Sequence, residues 1–228
     1  MSLETDRVSS EREVRVPAGR HRLQGILVVP SEAHGVVVFA HGSGSGRFSP
    51  RNQQVARALQ QGGTATLLMD LLEENEAEDR EKVFDIELLA ERLQFTADWL
   101  AHEPATAALR LGYFGASTGG GAALVAAAQQ PGLVGAVVSR GGRPDLAWDF
   151  LPHVQAPTLL LVGGEDRTVL ALNEEALACL TCPCELKVIP GATHLFPEPG
   201  ALEEVARLAE QWFRRHLAPE NASPSRKG

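Results

Sequence analysis

The chain has 228 residues, a formal net charge of −8 and a pI near 5.4. This length can bury one substantial core, and an acidic chain without a basic run lacks the charge needed to bind nucleic-acid phosphates. The sequence has neither an apolar leader segment nor a stretch of about 18 apolar residues that could cross a bilayer. We therefore expect a cytoplasmic protein with no nucleic-acid or membrane partner.

Apolar runs of strand length alternate with helical patterns along the chain. Two antiparallel strands are predicted at 14–17 and 22–29, and the later strands at 35–40, 64–69, 109–114, 134–139, 158–162 and 185–189. Helices are predicted at 50–61, 81–101, 118–130, 170–180 and 201–217. This alternation predicts an α/β fold, a mostly parallel sheet of about eight strands with helices on both faces.

The domain organisation follows from the same pattern. We expect a flexible N-terminus at 1–12, a single domain at 13–217 and a flexible tail at 218–228. Only residues 140–157 separate the strands at 134–139 and 158–162. That segment can hold a helical turn near 145–151 but no lid domain, so the sheet edge beside it should be open.

A G-x-S-x-G pentapeptide, Gly115-Ala116-Ser117-Thr118-Gly119, joins the strand at 109–114 to the helix that follows. This pattern is typical of a nucleophile elbow, which presents a serine on a sharp strand-to-helix turn. A helix N-cap would also favour a serine, but capping does not explain a glycine on each side. Ser117 is therefore the candidate nucleophile.

An acid and a histidine follow two later strands. Asp166 lies in the loop after the strand at 158–162, and His194 lies in the loop after the strand at 185–189. The chain order serine, acid, histidine is that of α/β-hydrolases. The residues alone leave alternatives open: Glu165, Asp145 or Asp149 for the acid, and His41, His153 or His216 for the base.

The glycine-rich segment His41-Gly42-Ser43-Gly44-Ser45-Gly46-Arg47 follows the strand at 35–40. Such a loop can direct backbone N–H groups into a site, and an oxyanion hole needs one from here and one after the nucleophile. We assign these donors to Ser43 and Thr118. The segment matches neither of the glycine patterns that bind nucleotide phosphates.

These segments in this order resemble the α/β-hydrolase superfamily and, within it, the small lidless branch similar to dienelactone hydrolases, over residues 14–217. The resemblance favours Asp166 over Glu165 and implies acyl transfer to Ser117, with His194 as base and no metal or organic cofactor. Typical dienelactone hydrolases use cysteine as nucleophile, whereas this elbow holds Ser117. The resemblance therefore implies a serine hydrolase of a small ester, lactone or thioester, although a non-catalytic binding protein could keep the same fold.

Several arginines follow strands at the predicted carboxyl edge of the sheet: Arg47, Arg51, Arg140, Arg143 and Arg167. One hypothesis is that Arg47, Arg140 or Arg143 binds an anionic substrate through charge-assisted hydrogen bonds. The alternative, slightly favoured, is internal pairing with the acidic residues at 70–79.

Three cysteines, Cys179, Cys182 and Cys184, offer soft metal ligands close together. A structural zinc site needs four ligands, and no second cluster of cysteine and histidine supplies the fourth. We expect instead that Cys179 ends a helix, Cys182 lies in a turn and Cys184 begins a strand.

Overall fold

The computed structural model describes residues 9–219. Strand β1 (Ser9–Ala18) begins inside the segment that was predicted to be flexible, so that prediction is wrong for residues 9–12. The rest of the predicted N-terminus, and residues 220–228 of the predicted tail, lie outside the described residues. Within the described part, no helix is both long enough and apolar enough to cross a membrane.

Eight strands form one sheet in the order β1-β2-β4-β3-β5-β6-β7-β8. After β1 they are β2 (His21–Pro30), β3 (Gly35–Ala40), β4 (Ala65–Met69), β5 (Arg110–Ala116), β6 (Val134–Arg140), β7 (Thr158–Gly163) and β8 (Cys184–Ile189). The pairs β1–β2 and β2–β4 are antiparallel, and every later pair is parallel. The α/β prediction is confirmed, including the antiparallel start.

Helices cover both faces of the sheet. They are α1 (Pro50–Gln61), α2 (Glu74–Ala77), α3 (Arg80–Val83), α4 (Ile86–His102), α5 (Thr118–Gln129), α6 (Arg167–Cys179) and α7 (Ala201–Leu217). Residues of α4, α5 and α6 share one buried core, and residues of α1 and α7 share the other. The carboxyl ends of β3 and β5–β8 therefore emerge at one edge between two packed layers.

One predicted helix is wrong in its boundaries. The pattern at 81–101 predicted one continuous helix, but the chain breaks between α3 and α4. The side chain of Asp85 accepts a hydrogen bond of 2.9 Å from Leu88 N–H and so starts α4 as its N-cap. Phe84, which was expected in the core, lies at this break with 47% of its surface exposed.

The connection between β6 and β7 is short, as the sequence predicted. It holds one kinked 3-10 helix, Pro144–His153, which packs against α5 and α6. The connection holds no other helix or strand within the described residues. The predicted places of the three cysteines are also confirmed, with Cys179 ending α6 and Cys184 opening β8.

A buried ion pair ties the connection after β4 to α4. Glu76 and Arg92 are each 3% exposed, and Arg92 Nη2 lies 3.3 Å from Glu76 Oε1. Arg92 also donates to the carbonyl of Ala18 in β1, at 3.3 Å. The half-exposed Lys82 adds a second cation, 3.2 Å from the same carboxylate. This network holds the N-terminal hairpin, α2 and α4 together.

Glu76→Gln should destabilise the fold by about 3 kcal/mol, because it leaves Arg92 buried without its counter-charge. Urea unfolding followed by circular dichroism measures the change. Lys82→Met is the matched control and should cost at most about 1 kcal/mol, because its ammonium group is largely solvated. Equal losses in the two variants would contradict the importance given to Arg92.

Candidate active site

Ser117 lies at the junction of β5 and α5 with φ 52° and ψ −120°. A side chain in this region of backbone conformation costs about 1–3 kcal/mol and persists only where the surroundings enforce it. Here the Ser117 N–H donates to the carbonyl of Arg140 at 3.2 Å, and the Ser117 carbonyl accepts from Arg143 N–H at 3.1 Å. The end of β6 and the residues after it therefore hold the elbow in place.

The two glycines of the pentapeptide are required by the close approach of α5 to the sheet. A Cβ atom on Gly115 would lie 2.5 Å from the carbonyl oxygen of Gly119. A Cβ atom on Gly119 would collide with the carbonyl oxygen of Ala40 at the end of β3. The G-x-S-x-G spacing thus reflects packing on both sides of Ser117, as expected for a nucleophile elbow.

The structure pairs Asp166 with His194. His194 Nδ1 lies 2.6 Å from Asp166 Oδ2, and the Asp166 side chain is 15% exposed. Glu165, its neighbour in the same loop, is exposed and has no hydrogen bond from its side chain among the described residues. A carboxylate on Nδ1 places the histidine proton there and leaves Nε2 with its lone pair available.

The acid loop and the histidine loop are joined by backbone hydrogen bonds. Gly164 N–H donates to the Ile189 carbonyl, and Glu165 N–H donates to the Ala192 carbonyl, both at 2.9 Å. Phe196 anchors the far side of the histidine loop in the α1–α7 core with 2% exposure. These backbone contacts fix the positions of Asp166 and His194 relative to each other, independently of the contact between their side chains.

The segment Arg140–Gly141 links this pair to the nucleophile. Its Arg140 carbonyl accepts from Ser117, while a Cβ atom on Gly141 would lie 3.4 Å from Cε1 and Nδ1 of the His194 ring. Among the residues described, no hydrogen bond joins Ser117 Oγ to His194. Such catalytic hydrogen bonds are often long in free enzymes and shorten when substrate binds. Ser117 and His194 therefore both adjoin one short backbone segment.

The two predicted oxyanion donors lie side by side, in an arrangement that the sequence did not predict. Ser43 N–H donates to the hydroxyl oxygen of Thr118 at 3.1 Å, so the glycine-rich loop is attached to the start of α5 by a side chain. Gly42 packs on the elbow itself, because a Cβ atom there would lie 3.2 Å from Ser117 Cβ. Thr118 is 3% exposed, and its hydroxyl sets the position of the Ser43 N–H.

His41 shapes the turn before these donors. Leu71 N–H donates to His41 Nε2 at 3.1 Å, so Nδ1 carries the proton and donates to the carbonyl of Gly42 at 3.0 Å. Burial lowers the pKa of His41 below its ordinary value, against weaker opposing effects of the Gly42 hydrogen bond and Asp70. His41 therefore acts as a neutral brace between the glycine-rich loop and the chain after β4.

The other acids and histidines considered from the sequence lie elsewhere. Asp145 forms a salt bridge with Arg143, Nη2 to Oδ2 at 2.7 Å, and Asp149 and His153 are exposed on the 3-10 helix. His216 packs on the ring of Trp212 in α7, with ring centres 4.4 Å apart. None of them contacts the Asp166–His194 pair.

The three arginines proposed to bind substrate differ in their partners and in their burial. Arg47 is paired with Asp70 through both its backbone N–H and its guanidinium, and Arg143 is paired with Asp145. Arg140 was expected in a loop at the rim, but it is the last residue of β6 and only 7% exposed. Its side chain belongs to the layer under the site, because every second residue of a strand points to the same face of the sheet.

A cleft of about 990 Å³ opens beside the glycine-rich loop. It lies between that loop and the connection after β4. Its wall is mixed: apolar surface comes from Phe48, Leu72, Val83 and Leu89, and charge from Arg22, Arg47, Asp70, Glu73, Glu74 and Glu78. The cleft thus reaches the predicted oxyanion donor Ser43 from the α2–α3 side.

The chain brings together one group of metal-ligand types among the described residues, His21 with Glu73 and Glu76. His21 Nδ1 lies 2.7 Å from Glu73 Oε2, and Glu76 is already compensated by Arg92 and Lys82. These contacts are those of an ion-pair network. The cysteine thiols are not part of any such group in this region, and burial raises the pKa of Cys184 to about 12, which disfavours a thiolate.

The model of one protein family, described as the dienelactone hydrolase family, matches residues 23–218. The chain belongs to the dienelactone hydrolase family. A dienelactone hydrolase from Anabaena variabilis of known crystal structure is 59% identical, with a TM-score of 0.89 over 92% of this chain and 99% of that one. The fold and family predicted from the sequence are therefore confirmed.

Two further comparisons bear on this family member. Proteins from two strains of Mycobacterium tuberculosis, provisionally named phosphoribosyl transferases, are 59% identical over 91% of this chain but only 47% of their own length. The chain thus spans about half the length of these curated relatives. Est1E from Butyrivibrio proteoclasticus has a TM-score of 0.77 over 90% of this chain and 98% of that one at 16% identity, which shows a shared fold alone.

Gly163→Ala should displace the histidine loop, because its Cβ would collide with the Ala192 carbonyl oxygen and lie 2.8 Å from that of Thr193. We expect a loss of about 1–3 kcal/mol in unfolding free energy, as for other overpacked sites. Gly164→Ala is the matched control, since its Cβ would meet no atom closer than 3.4 Å. Thermal unfolding of the two variants decides the point, and equal stability would show that the loops are not tightly coupled.

Thr118→Val should remove the acceptor that holds Ser43 N–H while keeping the shape of the side chain. For a hydrolase that uses Ser43 N–H as an oxyanion donor, we expect kcat/KM for an activated ester to fall by about tenfold, the value of one ordinary hydrogen bond, and Thr118→Ser to restore most of it. A rise in kcat/KM for Thr118→Val would mean instead that the threonine competes with the substrate oxygen for this donor.

Proposed function

We propose that this member of the dienelactone hydrolase family is a serine hydrolase that forms an acyl-enzyme on Ser117. The observation that carries the proposal is the 2.6 Å contact between Asp166 and His194, held against the same backbone segment that fixes the strained Ser117 elbow. Asp166 is the acid and His194 the base in this proposal. A nucleophile, a base and an orienting carboxylate at one sheet edge are what acyl transfer by a serine requires.

The proton on Nδ1 decides the direction of transfer. With Nδ1–H donated to Asp166, His194 Nε2 takes the proton of Ser117 Oγ as that oxygen attacks the substrate carbonyl. His194 then gives the proton to the leaving oxygen or sulfur, and the acyl group stays on Ser117. Water, deprotonated by the same nitrogen, releases the acid and restores the serine.

The negative oxygen of the tetrahedral intermediate needs fixed donors. In the proposed site these are the backbone N–H groups of Thr118 and Ser43, and loss of one such donor typically costs about 2.7–4 kcal/mol of activation free energy. In the structure, Ser43 N–H donates a hydrogen bond to the Thr118 hydroxyl oxygen. The substrate oxygen would take up this donor in exchange for, or alongside, the threonine oxygen.

The surroundings favour a small substrate. The connection between β6 and β7 holds one 3-10 helix, too short for a lid domain, and the cleft beside Ser43 joins apolar and charged walls. We propose a small ester, lactone or thioester. An anionic substrate finds no free charge on Arg47 or Arg143, since both are paired with carboxylates, which leaves Arg140 of the three arginines named as candidates to bind substrate.

The name of the Mycobacterium tuberculosis relatives does not alter this proposal. Phosphoribosyl transfer is named for proteins of which this chain matches less than half the length. The matched segment carries the hydrolase fold and the elbow. The longer relatives could therefore hold a hydrolase segment beside a phosphoribosyl-transferring segment. The proposal for this chain rests on its own residues.

Ser117→Ala, Asp166→Ala and His194→Ala should each lower kcat by at least about 10⁴-fold on 4-nitrophenyl acetate, because triad members act as one unit. Labelling by a fluorophosphonate probe should occur at Ser117 and vanish in Ser117→Ala. Mass spectrometry of the labelled peptide identifies the residue.

Glu165→Ala is the matched control for the acid and should retain the activity of the unmodified protein. If Glu165→Ala were the inactive variant, the assignment of Asp166 would be wrong. If the intact protein took up no probe and cleaved no ester, a non-catalytic binding protein with the same fold would become the better description.

A further inference from the structure

A buried guanidinium without a carboxylate lies under the proposed site. Arg140 is 7% exposed, and its Nη1 makes no hydrogen bond within the described part of the chain. Its Cζ lies 5.9 Å from the centre of the Phe114 ring in β5. Arginines are almost never this deeply buried without a partner, because losing hydration of the charge is costly.

A second arginine brings more positive charge to the same place. Arg51 is half-buried, and its Nε is likewise buried without a hydrogen-bond partner. Burial, and then the nearby charge of Arg51, lower the pKa of Arg140 to about 10. Arg140 is still protonated at neutral pH, so the positive charges of the two arginines repel each other.

The backbone adds to this positive potential. Arg51 lies in the first turn of α1, whose N-terminus is capped by Ser49 and has no acidic residue in its first turn. The free N–H groups and the dipole of a helix favour an anion at this end. Two guanidiniums and a helix N-terminus thus act in the same direction.

Three acidic side chains accept hydrogen bonds from other residues, and Oε2 of Glu198 is buried without a hydrogen-bond partner. Asp166 accepts from His194, Glu198 accepts from Thr193 at 2.6 Å, and Glu203 accepts from Gln54 at 3.0 Å. In residues 9–219, no carboxylate oxygen lies within 4 Å of a guanidinium nitrogen of Arg51 or Arg140. The protein itself therefore does not neutralise this pair.

We propose that Arg51 and Arg140 form a binding site for one oxyanion of the phosphate, sulfate or carboxylate type. An oxyanion would satisfy the unpartnered guanidinium nitrogens through charge-assisted hydrogen bonds and offset the repulsion between the two arginines. The Arg140 backbone adjoins the proposed nucleophile, because its carbonyl accepts the Ser117 N–H. The anion is either free in solution or an acidic group carried by the substrate, and this second source rests on the proposed hydrolase function.

Binding is tested without catalysis, on Ser117→Ala protein titrated with inorganic phosphate at constant ionic strength. In thermal unfolding, phosphate should raise Tm in a saturable way, and the same concentrations of chloride should not. Adding Arg140→Gln or Arg51→Gln should weaken phosphate affinity by at least about tenfold, the usual effect of losing one charged hydrogen bond. Arg57→Gln, an exposed arginine of the same helix, is the matched control and should leave the titration unchanged.

Two results would overturn the site. One is the absence of any stabilisation by phosphate, sulfate or acetate beyond that of chloride. The other is an undiminished phosphate titration in both Arg140→Gln and Arg51→Gln, which would place the anion elsewhere. Because two variants are used, the phosphate titration of one variant still tests the site if the other variant fails to fold.

The source of the anion is separated with the active protein and two esters of equal length, one neutral and one ending in a carboxylate. If the substrate carries the anion, phosphate competes with the acidic ester, and Arg51→Gln raises KM for it relative to the neutral ester. If the anion is free, phosphate binds without competing with either ester. Loss of all ester hydrolysis would refute the proposed function alone, since the titration of Ser117→Ala protein does not depend on it.

Discussion

The close approach of α5 to the sheet at Ser117 is the constraint on which the rest of the site depends. Gly115 and Gly119 leave no room for a Cβ atom, and Ser117 is held with a positive φ between them. A helix that packed further out would relax this turn and withdraw the serine from the edge of the sheet. The cost of the strained conformation is met by the two hydrogen bonds to Arg140 and Arg143.

The same few backbone segments then position everything else. Arg140 contacts the elbow and Gly141 lies against His194, and the acid and histidine loops are joined by hydrogen bonds of 2.9 Å. On the opposite flank, the Thr118 hydroxyl and His41 hold the glycine-rich loop. A site built this way is preorganised, because its functional groups depend on packed backbone and not on long flexible side chains.

Arg140 and Arg143 show that two arginines close together in the sequence can lie in different surroundings in the structure. Arg140 and Arg143 are three residues apart, and both were expected at the rim. Arg143 reaches Asp145 at the surface, whereas Arg140 is the last residue of β6 and points into the layer shared with α1 and α7. Because β6 extends one residue further than predicted, Arg140 is a buried strand residue and not a solvated loop residue.

The sequence by itself determined the α/β fold, the family and the order of the elbow, acid and histidine segments, because strand and helix periodicity and short glycine patterns are local properties. It did not determine the break at Phe84, where the Asp85 cap outweighs a continuous apolar pattern. Only the tertiary structure decided that Asp166 and not Glu165 contacts His194, that Thr118 holds Ser43, and that Arg140 is buried without a carboxylate partner. Each of these depends on which way a side chain points between elements distant along the chain, and periodicity carries no record of that direction.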